Sequence, residues 1–263
     1  MKKQYYFISG LPRSGSTMLS AILRQNPNFH ADISDNLFGH IMSVSHVENE
    51  TKKIPLNEIR KNMIHGMFDG YYKHVDESVV FNTNRGWTAQ THILKYLYPN
   101  TKMIVCVRDI LSVVNSIESA HRKNLLKGSA TTGPIHTTVY DRVKEWMGEH
   151  GFVNSCYNNI KQSLYSNETD MLLFVEYDDL CKNPEATLRR IYDFIEKPYF
   201  EHDFQNIEND ESWKKFDEHI GIELHTVHKE IFYKERKSII PIDAERKLKD
   251  LEVWRDKYPK LYS

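Results

Sequence analysis

Short apolar runs alternate along this chain with longer stretches whose apolar residues recur at helical spacing. Tyr5–Ser9, Val79–Asn82, Met103–Val107 and Met171–Glu176 are compact β-branched or apolar runs, each beside a turn or a polar breaker, and read as strands. Three- and four-residue spacing predicts helices over about Thr17–Gln25, Leu56–Tyr72, Thr88–Leu97, Ile110–Ser119, Tyr140–Tyr165 and Glu185–Ile195. Strands that are apolar throughout belong in a sheet covered on both faces, so the fold class is α/β, a parallel sheet flanked by helices. Two stretches lack this order. Lys123–Thr138 is rich in Gly, Ser and Thr without a period and reads as a mobile loop, and a polar stretch runs from Glu201 to about Ser238. Neither looks like a linker, so residues 1–263 are expected to form one domain. Its core spans about 4–196, and a helical C-terminal segment, 197–263, completes or covers the site.

Composition narrows the function. With 263 residues and 40% hydrophobic positions the chain has ample material for a core. Its 35 Lys and Arg against 36 Asp and Glu leave a net charge of -1, so no global field draws nucleic acid or anionic lipid. An anion site must therefore be a local cluster. The apolar stretch in MKKQYYFISG is too short for a signal-peptide core or a membrane span, which gives the expectation of a soluble protein. Cys106, Cys156 and Cys181 fit neither a disulfide framework nor a metal-ligand spacing, so a reducing compartment, the cytosol, is expected.

The strongest local signal is Gly10-Leu-Pro-Arg13-Ser14-Gly15-Ser16-Thr17, placed between the first strand and the first helix. There a loop of backbone N–H groups, backed by a helix N-terminus, cradles a phosphate. Against the G-x4-G-K-[ST] loop of nucleoside triphosphate binders, both glycines and Thr17 match, but Ser16 stands where the lysine belongs. That lysine reaches β- and γ-phosphates, so the expected ligand is a 5′-phosphate with a short anionic extension, which Arg13 can grip. A second grip follows the third strand. Arg108 lies at a strand's carboxyl end, where ligands of open α/β sheets bind, and Ser116 follows eight residues later. A guanidinium fork with a hydroxyl suits a second phosphate.

These residues resemble the sulfotransferases that use 3′-phosphoadenosine 5′-phosphosulfate (PAPS). Pro12-Arg13-Ser14-Gly15-Ser16-Thr17 is similar to the family's 5′ loop. Arg108 with Ser116 is similar to its 3′-phosphate motif, and Val175-Glu176-Tyr177-Asp178-Asp179-Leu180 to a later strand-Tyr-acidic segment. The similarity spans roughly Tyr5 to Ile195 and looks closest to bacterial relatives of the tyrosylprotein sulfotransferases, which also carry Arg in the loop. It implies a P-loop-type sheet and PAPS as cosubstrate, with 3′-phosphoadenosine 5′-phosphate (PAP) as product and no metal. It implies that Arg13, Ser14, Gly15, Ser16 and Thr17 hold the 5′-phosphosulfate, that Arg108 and Ser116 hold the 3′-phosphate, and that Tyr177 touches the adenine side. A lysine after the second strand of those relatives assists at the bridging oxygen; in Asn82-Thr83-Asn84-Arg85-Gly86-Trp87 its substitute is Arg85.

Those relatives place a glutamate, the catalytic base, in a Glu-Glu pair about twenty residues after the loop arginine, where this chain has His30-Ala-Asp32-Ile-Ser34-Asp35-Asn36. Asp35 is the nearest candidate base, with Asp32 behind it and His40 further on, and Asp35 also sits where a cap would begin an amphipathic run, Leu37–Val44. His225 and His228 lack a third ligand at metal spacing and read as polar surface or network residues. Lys234-Glu-Arg236-Lys237-Ser238 is a basic cluster that either closes over the nucleotide, as the family's C-terminal segment does, or is a solvated loop. The expected reaction is in-line transfer of a sulfuryl group to a hydroxyl or amine acceptor. A non-catalytic PAP-binding protein and a degenerate P-loop nucleotide kinase remain the alternatives, and the acceptor and the oligomeric state are not legible.

Overall fold

The computed structural model describes residues 3–45, 56–123, 138–220 and 224–257. Five parallel strands form one sheet: β1 (Gln4–Gly10), β2 (Phe29–Ala31), β3 (Val79–Thr83), β4 (Met103–Val107) and β5 (Leu172–Glu176), in the order β2-β3-β1-β4-β5. Alternate residues of each strand point to opposite faces, and both faces are buried. Tyr5, Phe7, Val80, Val105, Val107, Leu172 and Phe174 enter one core, whereas Tyr6, Ile8, Phe81, Ile104, Cys106, Leu173 and Val175 enter the other.

The helices are α1 (Ser16–Leu23), α2 (Leu37–Ser45), α3 (Leu56–Tyr71), α4 (Thr91–Leu97), α5 (Ile110–Lys123), α6 (Val139–Met147), α7 (Phe152–Leu164), α8 (Tyr177–Lys182), α9 (Pro184–Phe194), α10 (Glu211–Ile220), α11 (Ile242–Glu245) and α12 (Val253–Lys257). Helices α2 to α7 cover the first face through residues such as Ile41, Phe68, Leu94, Val113, Trp146 and Ile160. Helices α1 and α9 cover the second through Leu19, Ile22, Leu188 and Ile191, joined by Trp213 of α10 and by Val227. No described helix is long and apolar enough to cross a membrane.

Several expectations are corrected in detail. The predicted helix Tyr140–Tyr165 is two helices, α6 and α7, broken at Gly148–Gly151, where the amide of Gly151 turns back to the carbonyl of Gly148 at 2.9 Å. The predicted helix over Thr88–Leu97 opens as a tight 3-10 turn, Trp87–Gln90, before α4 begins. The short edge strand β2, the helix α8 and, within the polar stretch after Glu201, α10 are additions. The loop read in Lys123–Thr138 lies outside the described residues, apart from its two ends.

Candidate active site

Because all five strands run the same way, their carboxyl ends share one edge of the sheet, and the chain leaves each toward the same crevice. Arg13 follows β1, Arg85 follows β3, Arg108 follows β4 and Tyr177 follows β5. Together with residues of the C-terminal segment they line a cavity of about 520 Å³, within the range of small-molecule sites.

The glycine loop is built by close contact. Gly10 ends β1 with φ of 124°, and a Cβ there would lie 2.0 Å from the carbonyl oxygen of Cys106 on β4, so only glycine lets the two backbones meet. The next amide, Leu11 N–H, donates to that same carbonyl at 2.9 Å. Ser14 donates its hydroxyl to Leu11 O at 2.6 Å, tightening the turn. Gly15, at φ of 91°, caps α1, and a Cβ on it would come within 2.9 Å of the Tyr177 ring. Arg13 itself has φ of 58°, a left-handed conformation that costs a non-glycine residue about 1 kcal/mol or more.

Three guanidinium groups converge on this loop. Arg13 donates through Nε to Ser116 Oγ at 3.3 Å and through Nη1 to the carbonyl of Leu224 at 2.5 Å. Arg108 donates to the carbonyl of Arg13 at 3.2 Å, and its guanidinium lies 4.0 Å over the Tyr177 ring. The buried Nε of Arg108 has no partner among the described residues. Arg236 reaches in from the exposed C-terminal segment, beside Lys234. Burial, and then the positive charges of Arg108 and Arg236, pull the Arg13 guanidinium below its usual proton affinity. For Arg108 the main cause is again burial, with Arg236 adding to it. Among the described residues none of the three forms an ion pair with a carboxylate.

Every expected cofactor residue, Arg13 through Thr17 with Arg108, Ser116 and Tyr177, lines this cavity or its loop. Ser116 sits at the site, but its partner is Arg13 rather than Arg108. Arg85 is exposed at the cavity wall, with its carbonyl accepting from Thr88 Oγ1 at 3.2 Å. Asp32 and His40 lie off the lining: the carboxylate of Asp32 accepts from the indole of Trp213, and His40 is exposed on α2.

Asp35 does line the cavity and also caps α2, taking the amide of Leu37 on Oδ1 at 2.9 Å. Its Oδ2 accepts from Asn82 Nδ2 at 2.9 Å, with the Tyr72 hydroxyl at 3.4 Å. Burial raises its proton affinity, and these donors oppose that rise. Asn82 is locked, since its Oδ1 accepts from the Trp87 indole at 2.7 Å. Asp35→Asn therefore either loses the cap or turns an amide donor toward an amide donor that cannot flip. Urea unfolding should show a loss of about 1–3 kcal/mol. An unchanged midpoint would remove the structural role.

A family model described as the sulfotransferase domain matches residues 3–236. The chain belongs to the sulfotransferase domain family. Among curated proteins it is 24% identical over 205 residues to a protein-tyrosine sulfotransferase A of Caenorhabditis elegans, covering 74% of this chain and 50% of that protein. It is 24% identical over 204 residues to a protein-tyrosine sulfotransferase of Drosophila melanogaster, covering 73% and 38%. The chain thus spans half or less of the length of these relatives. In fold this sulfotransferase-family chain matches a mouse sulfotransferase crystallised with PAP, with TM-score 0.55, 13% identity and coverage of 98% and 86%. It also matches a sulfotransferase of Alicyclobacillus acidocaldarius, with TM-score 0.53, 14% identity and coverage of 84% and 92%.

The C-terminal segment supplies what the motifs did not single out as part of the site. Leu224 and His225 line the cavity, and Asp217 on α10 holds their turn. The sequence offered only the pair His225 and His228 as a signal, and that pair suggested a metal spacing, not a partner eight residues earlier.

Proposed function

We propose that this chain transfers a sulfuryl group from PAPS to a hydroxyl or amine acceptor, in line, leaving PAP. The observation that carries the reading is the meeting of Arg13, Arg108 and Arg236 around a glycine loop at the sheet's carboxyl edge with no carboxylate of the described residues paired to any of them. Arg13 and Arg108, whose charge is disfavoured by burial and then by neighbouring guanidinium groups, are stabilised by an anion, and the Nε of Arg108, without a partner among the described residues, offers it a further donor. The residues thus fit an adenine nucleotide carrying two separated anionic groups.

In this reading the loop from Arg13 to Thr17 holds the 5′-phosphosulfate with its backbone N–H groups and hydroxyls. Arg108, with Ser116, takes the 3′-phosphate, and Tyr177 bounds the adenine side. Lys234 and Arg236 close the wall from the C-terminal segment. Arg13 and Arg85 stabilise the charge that grows on the sulfuryl oxygens and on the departing phosphate. A proton must leave the acceptor as its oxygen or nitrogen attacks, and the side chains on the wall that can receive it are Asp35, His225, His228 and Glu230.

A thermal-shift panel tests the donor class. PAP should raise the melting temperature without magnesium, and a ligand at a hundred times its Kd contributes about 2.7 kcal/mol. ATP with magnesium should do much less, because Ser16 replaces the lysine that grips a triphosphate. Equal shifts for the two ligands would favour a kinase-like site and overturn the reading.

A further inference from the structure

We propose that His225, held by Asp217, is the general base that receives the acceptor's proton. The inference rests on the sulfuryl-transfer reading above and adds the group that completes it.

Asp217 is buried on α10, its side chain 4% exposed. One oxygen, Oδ2, accepts the backbone amides of Leu224 and His225, each at 2.8 Å. The other, Oδ1, lies 2.6 Å from Nδ1 of the His225 ring. A carboxylate only accepts, so the ring proton belongs on Nδ1. In the neutral ring that leaves a lone pair on Nε2, at the far side from Asp217, and His225 is among the residues that line the cavity. Phe216, the residue before Asp217, packs edge-on against the imidazole with ring centres 5.5 Å apart and limits its rotation. The arrangement of carboxylate, imidazole and open nitrogen is the one by which a buried acid fixes the tautomer of a base and stabilises the imidazolium it becomes.

Position supports the role as strongly as orientation. The carbonyl of Leu224, one residue earlier, accepts from Arg13 Nη1 at 2.5 Å. The imidazole is therefore one peptide unit from the clamp on the residue assigned to the sulfuryl oxygens. Asp35, by contrast, has both oxygens engaged by Leu37, Asn82 and Tyr72, which makes it a positioning residue for α2 and β3. His228 also lines the wall, but it packs on Phe232 with ring centres 5.0 Å apart instead of on an acid.

The step balances simply. The acceptor's O–H or N–H bond breaks and its proton moves to Nε2 of His225. The new O–S or N–S bond forms as the S–O bond to the 5′-phosphate breaks, and that bond's electron pair leaves with PAP.

Asp217 also clasps the turn through two backbone amides, so the test must separate a base from a clasp. His225→Gln and His225→Ala both keep those amides. Single-turnover conversion of PAPS to PAP is to be followed with phenol, tyrosine methyl ester and ethanolamine as acceptors, beside calorimetric titration of PAP. Both variants should lose about 100- to 10,000-fold in turnover with PAP affinity unchanged, and added imidazole should partly restore the Ala variant. Long-range proton–nitrogen correlation spectra of the labelled full chain should show the Nδ1–H tautomer of His225 in the wild type and its loss in Asp217→Asn. Wild-type turnover by His225→Gln, an Nε2–H tautomer in the wild type, or PAP affinity falling in step with turnover would each overturn the role. A wild type that binds PAP yet transfers to none of the acceptors would overturn it too. Failure of the wild type to bind PAP would instead sink the sulfuryl-transfer reading itself, so the two failures are distinguishable.

Discussion

Titration calorimetry should show the wild-type chain binding PAP more tightly than AMP by about 2–4 kcal/mol, roughly 30- to 1000-fold. The two ligands share the adenosine 5′-phosphate and differ only in the 3′-phosphate, so their difference isolates one anion contact. Arg108 is the group placed to make it. It is fixed by its stacking on Tyr177 and its bond to the carbonyl of Arg13, while its buried Nε has no partner among the described residues. Such a donor, already desolvated, has lost its water and gains the full benefit of a charged acceptor. Arg108→Ala should bring the PAP preference close to unity while AMP affinity changes far less, since Gly10 and Gly15 shape the 5′ cradle and Arg108 touches it through one bond, to the carbonyl of Arg13. Ser116→Ala should cost PAP only about 1 kcal/mol, as befits one hydroxyl. In the free protein that hydroxyl accepts from Arg13, so its loss should also slightly loosen the Arg13 side chain. No preference in the wild type, or equal weakening of both nucleotides in Arg108→Ala, would remove the 3′-phosphate assignment.

What the sequence made legible follows from how local each signal is. The strands β1, β3, β4 and β5 are buried on both faces, and their uninterrupted apolar runs carry that fact within a few residues. β2 is three residues, Phe-His-Ala, at the sheet's edge, and nothing within it distinguishes a strand from a turn. Its extended form comes from pairing with Val79, Val80 and Phe81, fifty residues away in the chain. The glycine loop could be read because its chemistry and its geometry lie in eight consecutive residues. The contribution of α10, Leu224 and His225 could not, because Asp217, His225 and Arg13 meet only when the C-terminal segment folds back over the loop. Asp35 illustrates a third case. Its two sequence readings, cap and cavity acid, are both present in one side chain, and only the fixed orientation of Asn82 shows how fully that carboxylate is engaged.

Arg13→Ala should lower turnover by about 100- to 1000-fold, the effect of removing one fixed donor from developing charge, while PAP affinity falls far less. The asymmetry arises because the product PAP lacks the sulfuryl group whose oxygens Arg13 is assigned to meet. Two structural duties of Arg13 have to be separated from that role. Its guanidinium ties the glycine loop to the C-terminal turn through Leu224 O, and its backbone sits at φ of 58°. Arg13→Gly removes the same side chain but adopts that backbone freely, so it should be more stable than Arg13→Ala by about 1 kcal/mol. If charge stabilisation is the main role, the Ala and Gly variants should be equally slow despite their different stabilities. Turnover that tracks stability instead, with the Gly variant recovering most of the activity, would make Arg13 a strut between the loop and the C-terminal segment. Loss of PAP affinity in proportion to turnover would make it a binding group. Either result would leave Arg85, exposed after β3, as the group to test next at the bridging oxygen.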